Sequence, residues 1–444
     1  MLVGVVIAAA TILSACSAQP ASSSSAGHVT SAEKYGTKSH PITLTFWDWG
    51  GASSDAPAVA AYEKLHPYVK VKVTEFTSTQ DLYTKLATVF KAGTGAPDVT
   101  ALELAMLPTF AAGGNLVPLA QYGGTNADMN SASSKAANFD NQLYAIPTDS
   151  APTVMYYRAD LFTKYGLSVP TTWAQYLTDA RSLKKQDPSA YMTFADPSDS
   201  SVAQGLIWQA GGEPFKLSGT KDLTINLSDA GTTKYADLWS TMLKGQLVKS
   251  DPAFTADWYN EMGDGTYATW LTGAWGAAIL QSSVEKSAGD WRVATLPSWS
   301  AGSPSAGLIG GSGTAVTASS PNKAAAAAWT QFFGTDWPEI SGKGGGSGGS
   351  PFPATLKVEN DPSFADKPSA VLGGQKDIPV YKTASSQVLS GWQYLPYNLY
   401  ANSIFKDTVG QQFASGGDVN AGLKAWQKAL AAYGTSQGFT VKAG

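Results

Sequence analysis

The chain has 444 residues, 43% of them hydrophobic, enough for two or three domains with sizeable cores at roughly 100–200 residues each. Only 14% are charged, the net charge is -4 and no long basic run occurs, which argues against a nucleic-acid-binding surface built on clustered Lys and Arg. Cys16 is the sole cysteine and the three histidines, His28, His40 and His66, are scattered, so no intramolecular disulfide, thiolate cluster or His-based metal site is expected.

From Leu2 to Leu13 the chain is almost wholly apolar or small. That run is too short to cross a bilayer as a helix, which needs about 20 residues, and it fits the apolar core of a signal peptide. It ends in Leu13-Ser14-Ala15-Cys16. This resembles a bacterial lipobox, which implies lipidation of Cys16 and cleavage just before it. One departure is that no Lys or Arg precedes the apolar run. Ser17 to Gly27 is rich in Ser and Ala, with Pro20, and carries too little apolar surface to order itself. It reads as a tether, expected to reach residue 40.

Ile42 to Trp47 alternates apolar and polar residues, as a strand does. Ala56 to His66 reads as a helix stopped near Pro67, and Val69, Val71 and Val73 mark a second strand. Ser78 can cap the next helix, with Asp81 three residues on; Leu82, Leu86, Val89 and Phe90 form its apolar face, and Gly93 and Gly95 end it. Asp98 to Leu102 is a third strand. The alternation of strand and helix predicts an α/β fold with mainly parallel pairing. Further strands are expected at Val154–Tyr157, Tyr267–Leu271, Arg292–Leu296 and Thr314–Thr317. Helices are expected from Thr172 with a stripe of Tyr176, Leu177, Ala180 and Leu183, and over Ala203–Gln209, Pro321–Phe333 and Val419–Tyr433.

Several segments, in order, resemble the extracellular sugar-binding proteins of ABC importers, the family that includes maltose-binding protein. They are Phe46 to Gly50, Gly95-Ala96-Pro97-Asp98-Val99, Tyr144-Ala145-Ile146-Pro147 followed by Met155 to Phe162, Pro170-Thr171-Thr172-Trp173, Gly273-Ala274-Trp275, and Ala318 to Lys323. Arg158 stands where the family usually has asparagine. The resemblance covers roughly residues 41 to 435. It implies a two-lobe clamp of the periplasmic-binding-protein type, with chain crossovers at a hinge, closing over solute. The expected partition is a signal peptide at 1–16, a tether at 17–40, a first lobe from 41–156 and 305–350, and a second lobe from 157–304 and 351–444. The implied partners are a sugar or oligosaccharide, ABC permease subunits, and the membrane through a lipid on Cys16. No cofactor is expected, and the chain is expected to act outside the cytoplasm as a monomer.

A sugar offers hydroxyls and flat C–H faces, so its site needs aromatic plates and polar acceptors and donors. The chain has 14 tryptophans. Trp47 and Trp49 end the first strand; the family pattern favours Trp49 for the cleft and Trp47 for the core. Asp48 between them is either a hydroxyl acceptor or a solvated loop charge. Trp275 stands where the family places a stacking aromatic, with a core tryptophan at a helix start as the competing reading, and Trp270 fits either role. Glu103 and Asp149 sit at strand ends, where carboxylates of α/β clefts meet ligands; surface solvation is the alternative for each. Asp98 reads as structural. Ser312, within Gly311-Ser312-Gly313, offers backbone amides or marks a tight turn. Trp392, Tyr394, Tyr397 and Asn398 are a polar and aromatic cluster that suits a rim or third wall.

Two other patterns carry no chemistry. Gly345-Gly346-Ser347-Gly348-Gly349 fits a nucleophile elbow and overlaps a dinucleotide fingerprint, but no apolar strand precedes it and prolines follow. Two function classes remain in play: a transport receptor without catalysis, and an extracellular glycoside hydrolase using a carboxyl pair such as Glu103 and Asp149 about 5–9.5 Å apart. The ordered resemblance favours the receptor.

Overall fold

The computed structural model describes residues 29–49, 52–341 and 352–444. The apolar run with Cys16, the Ser17–Gly27 segment, Gly50-Gly51 and the glycine run at 345–349 lie outside the described residues.

Two sheets organise two lobes. The first has five strands in the order Val69–Glu75, Ile42–Asp48, Val99–Glu103, Ser312–Val316, Ala145–Pro147. Ile42–Asp48 pairs in parallel with both of its neighbours, whereas Ser312–Val316 runs antiparallel between Val99–Glu103 and Ala145–Pro147. The second sheet is antiparallel throughout, with Thr153–Arg158 between Thr269–Gly273 and Trp291–Thr295. Among the described residues six strand pairings are antiparallel and four parallel, so the expected parallel majority does not hold. The reason is the hinge. Ser312–Val316 enters the first sheet on the way back from the second lobe, and strands 269–273 and 291–295 run back toward the hinge that Thr153–Arg158 has just left.

Each lobe has its own core. Leu44, Phe46, Leu82, Val99, Trp329 and Phe333 pack around the first sheet. The second lobe buries two clusters, one around Tyr176, Trp239 and Trp426 and another around Trp258, Trp291 and Tyr381. The chain crosses between them at 148–152 and 308–311, and again near residue 353, where Asp149 bridges Pro353 and Met129 bridges Thr355. The strand Thr153–Arg158 lies whole in the second sheet.

Local signals explain the helices that matter below. The Thr79–Ala92 helix starts at Ser78, whose hydroxyl accepts from the Asp81 amide, and stops at Gly93 in the left-handed conformation. Thr172 caps Trp173–Gln186 in the same way. The helix expected over Pro321–Phe333 spans Lys323–Gln331 and passes into a wider helical turn at Phe332–Asp336. Residues 31–40, expected within the tether, are folded. Ser31–Tyr35 is a helical turn with a capping box between Thr30 and Glu33, and Tyr35 stacks on His66 at 4.0 Å. A reciprocal cap and one aromatic plate are what the polar Ser17–Gly27 stretch lacks in sequence. No helix among the described residues is long and apolar enough to cross a membrane.

Candidate functional site

The carboxyl ends of strands from both lobes converge on one cleft. Trp49 follows Ile42–Asp48, Glu103 ends Val99–Glu103, and Trp275 follows Thr269–Gly273. All three line a cavity of about 770 Å³, inside the range of about 300–1,000 Å³ usual for small-molecule sites. Ligands of α/β proteins bind at the carboxyl ends of strands, where loops free of sheet hydrogen bonding present side chains.

One wall is aromatic. Trp270 is 2% exposed and packs edge to face with Trp275 at 5.5 Å and Trp258 at 5.3 Å. Trp275 is partly exposed, and its Nε1 donates to the Ile309 carbonyl at 2.8 Å. That bond ties the indole to the 308–311 crossover. The approach requires glycine: a Cβ on Gly273 would lie 2.4 Å from the Ile309 oxygen and 2.6 Å from Trp275 Nε1. Phe254 extends the wall, 6.1 Å from Trp275, with 48% of its surface exposed. Its φ of 64° is in the left-handed region, strained for a residue with a bulky Cβ substituent. Across the cleft, Trp49 meets Tyr83 edge to face at 6.4 Å.

The floor is acidic. The Tyr83 hydroxyl donates to Glu103 Oε2 at 3.1 Å and accepts from the Glu103 amide at 2.8 Å. Burial pushes the Glu103 carboxyl up to about 7, and the negative charge of Asp199 adds to the shift while the tyrosine bond opposes it. Asp199 is itself raised by burial. Asp196 has its two oxygens engaged, by Ser198 at 2.6–2.7 Å and by the Ala253 amide at 2.9 Å, so it pins the loop that carries Phe254. Lys406 lines the opposite edge.

The structure brings together Trp49, Glu103, Trp270 and Trp275 and separates the other expected site residues. Trp47 is half-buried against Phe76 at 5.2 Å. Asp48 is fully buried, its Oδ1 accepting from the Trp49 amide at 2.7 Å, so it is not a solvated loop charge; it holds the turn into Trp49. Asp149 and Ser312 are buried against each other at the hinge, the Ser312 amide donating to Asp149 Oδ1 at 2.6 Å and its hydroxyl to the same atom. The Ser312 amide is therefore already engaged. Trp392 and Tyr394 line a different cavity. Tyr397 is 6% exposed in the second lobe's core, where its hydroxyl donates to the Leu430 carbonyl at 3.0 Å. Asp98 is structural, as expected, accepting from Thr45 at 2.8 Å and from Ser320 at 2.6 Å. Sequence reasoning missed Tyr83, Asp199 and Phe254. Tyr83 gives a faint signal, an aromatic beside the Leu82, Leu86, Val89 stripe; Asp199 and Phe254 stand in loops without periodicity.

A family described as bacterial extracellular solute-binding protein matches residues 50–336. The chain is similar to an arabinooligosaccharide-binding protein of Halalkalibacterium halodurans, 24% identical over 281 residues, or 62% of this chain and 63% of the relative. It thus spans a little under two thirds of that relative's length. Its fold is similar to the ABC transporter associated binding protein from B. animalis subsp. lactis in complex with beta-1,6-galactobiose, with TM-score 0.78 and 31% identity over 91% of this chain and 100% of that one. It is also similar in fold to the galacto-N-biose-/lacto-N-biose I-binding protein of Bifidobacterium longum, with TM-score 0.76 and 22% identity over 90% of this chain and 99% of the other.

Proposed function

Because the chain belongs to the family of bacterial extracellular solute-binding proteins, we propose that it is the substrate-binding component of an ABC importer, capturing a sugar or oligosaccharide outside the cell and handing it to the permease. The observation that carries this reading is the pairing of an aromatic plate from the second lobe, Trp275, backed by the buried Trp270, with Trp49 and the Glu103 carboxyl from the first, across one cleft. Indole faces cover the C–H faces of a pyranose and the carboxyls accept its hydroxyls. A solute touching both lobes favours the closed arrangement by the difference in contacts it makes there. The lipobox-like Leu13-Ser14-Ala15-Cys16 supports anchoring to the membrane by lipid on Cys16.

Similar proteins bind oligosaccharides, including beta-1,6-galactobiose at 31% identity, so a panel of β-1,6-galactobiose, arabinooligosaccharides, lactose and maltose is the test. Thermal shift and calorimetry are expected to show at least one sugar bound at one site in the cleft. A ligand bound only by the folded state adds about 2.7 kcal/mol of stability at a hundredfold excess over Kd and so raises the melting temperature. No shift with any sugar, together with a shift from a peptide or polyamine, would overturn the carbohydrate reading. Glu103, with its raised carboxyl, is also where a hydrolase would keep a general acid. Incubation with the same sugars distinguishes the two, because a receptor generates no new reducing ends.

A further inference from the structure

Trp275 stands at the N-cap of the Gly276–Ser283 helix without capping it. An N-cap side chain ordinarily accepts from the first-turn amides. An indole has only an N–H to give, and that of Trp275 is spent on the Ile309 carbonyl at 2.8 Å. The turn at 274–277, which aims the indole into the cleft, is therefore held from elsewhere in the chain.

Tyr156, buried in the middle strand of the second sheet, does this. Its hydroxyl donates to the Ala274 carbonyl at 2.9 Å and accepts from the Ala277 amide. Its ring lies against the backbone of the residue after Trp275: a Cβ on Gly276 would stand 2.5 Å from Tyr156 Cε2. The Tyr381 hydroxyl is 2.7 Å from that of Tyr156. A carbonyl can only accept, so the one Tyr156 proton goes to Ala274 and Tyr381 supplies the proton between the two rings. Tyr381 is also fully buried. It belongs to the Ile378–Ser386 helix, whose cap, Asp377, lies beside the Tyr381 hydroxyl, and its ring packs on Phe352 at 5.7 Å. These contacts connect the plate to each place where the chain passes between lobes. Ile309 is in the second crossover, Tyr156 is on the strand that leaves the first, and Phe352 comes just before the third, near residue 353.

We propose that Tyr156 and Tyr381 are positioning residues for the sugar plate: their paired hydroxyls fix the 274–277 turn, and through it the angle at which the Trp275 indole faces the cleft. The inference rests on the reading of the cleft as a sugar site. Neither tyrosine lines the cleft, so an effect of either on a sugar passes through what it touches. Tyr156→Phe leaves both the Ala274 carbonyl and the Tyr381 hydroxyl without their partner, whereas Tyr381→Phe leaves the bond to Ala274 in place. The two changes are therefore graded, the first larger than the second.

The test is calorimetry of the full chain with β-1,6-galactobiose, lactose and maltose, continued to millimolar concentration. Tyr381→Phe is expected to weaken binding about threefold and Tyr156→Phe about tenfold, the scale of coupling within one hydrogen-bond network. In a Trp275→Ala background the same two changes should leave affinity where Trp275→Ala alone puts it. A second readout needs no sugar. The Trp275 indole N–H, identified by the resonance missing in Trp275→Phe, should exchange with solvent faster in both tyrosine variants. Tyr381→Phe is the deciding variant, because it keeps the ring and its packing, with circular dichroism to verify its fold. Variants that melt lower yet bind as wild type, with unchanged indole exchange, make the pair core packing only; that overturns the proposal and leaves the importer reading standing. Equal losses in the wild-type and Trp275→Ala backgrounds overturn the route through Trp275. Where none of the three sugars binds wild type, the sugar reading fails, and indole exchange decides the bracing by itself: unchanged exchange overturns it.

Discussion

Glu103→Gln is the most telling single change. The carboxyl stands at about 7 instead of the ordinary 4.5, first because it is enclosed and second because Asp199 is near. The folded apoprotein therefore holds a proton that the unfolded chain gives up more easily. The contribution of Glu103 to stability is complete below about pH 4.5 and is lost as pH rises through 7. A change of that size corresponds to about 3 kcal/mol at 1.36 kcal/mol per pH unit, and solvent on the cleft side of the carboxyl reduces the expected effect to about 1–2 kcal/mol. Glutamine has the same shape, can still accept from Tyr83 and has no charge to desolvate. In the absence of sugar, wild type and Glu103→Gln should melt together near pH 4.5 and diverge above it, with the variant more stable at pH 8. Added sugar tests the same group from the other side. Hydroxyls donating to the carboxylate favour its ionised form, so affinity should fall as pH drops below 7 in wild type and stay flat in the variant. Parallel melting curves from pH 4.5 to 8 would refute the raised carboxyl, and with it the enclosed acidic floor of the cleft.

Trp275→Ala removes an indole from the cleft wall and should cost on the order of 1.5–3 kcal/mol of sugar binding, a loss of roughly tenfold to hundredfold; Trp173→Phe is the control, since Trp173 is buried and donates to Gln209 at 3.1 Å away from the cleft, and calorimetry showing equal affinity for wild type and a well-folded Trp275→Ala would remove Trp275 from the site. Phe254→Gly relieves a left-handed backbone that costs an ordinary residue about 1 kcal/mol or more, so thermal melts should show little or no destabilisation while sugar affinity drops; a variant that melts much lower with unchanged affinity would make Phe254 a packing residue. Cys16→Ala should shift the protein from the membrane fraction to the medium at unchanged sugar affinity, and lipidated Cys16→Ala protein would end the lipobox reading.

Elements with a strong local signature were legible in the chain. Ser78 and Thr172 did the capping their positions suggested, because a hydroxyl at a helix start acts on an amide three residues away, whereas Asp98 is structural through distant partners, Thr45 and Ser320, and does not cap its own turn. Trp49 and Trp275, singled out through motif resemblance, both line the cleft, and their surroundings explain how they are held there. Asp48 fixes the Trp49 amide, and Gly273 leaves room for the Trp275 indole to reach Ile309. What depends on contacts far apart in sequence was not legible. Asp149 and Ser312 are 163 residues apart, so nothing local announces that each satisfies the other. Tyr397 was grouped with Trp392 by proximity, yet Leu430, 33 residues on, decides that its hydroxyl points into the core. The antiparallel strand 312–316 follows from the chain's return between lobes, which periodicity does not encode.

The bond from Trp275 to Ile309 bears on how a two-lobe site closes. Trp275 belongs to the second lobe by sequence, but its Nε1 is anchored to the 308–311 crossover, the part of the chain about which the lobes would turn. Points near a rotation axis move least. Under the proposed closure the indole would stay close to fixed, while Trp49 and Glu103, on strands of the first lobe, would move toward it. A sugar can then rest on the Trp275 plate in the open arrangement at little cost in orientation and gain its carboxylate and second-plate contacts only on closure. Those later contacts are the ones made in one state and not the other, and only such differential contacts shift the balance between states. On the proposed sugar site, substitutions at the two places are expected to separate: Trp275→Ala should lower affinity for open and closed forms alike, and changes at Trp49 or Glu103 should lower affinity by weakening the closed form alone.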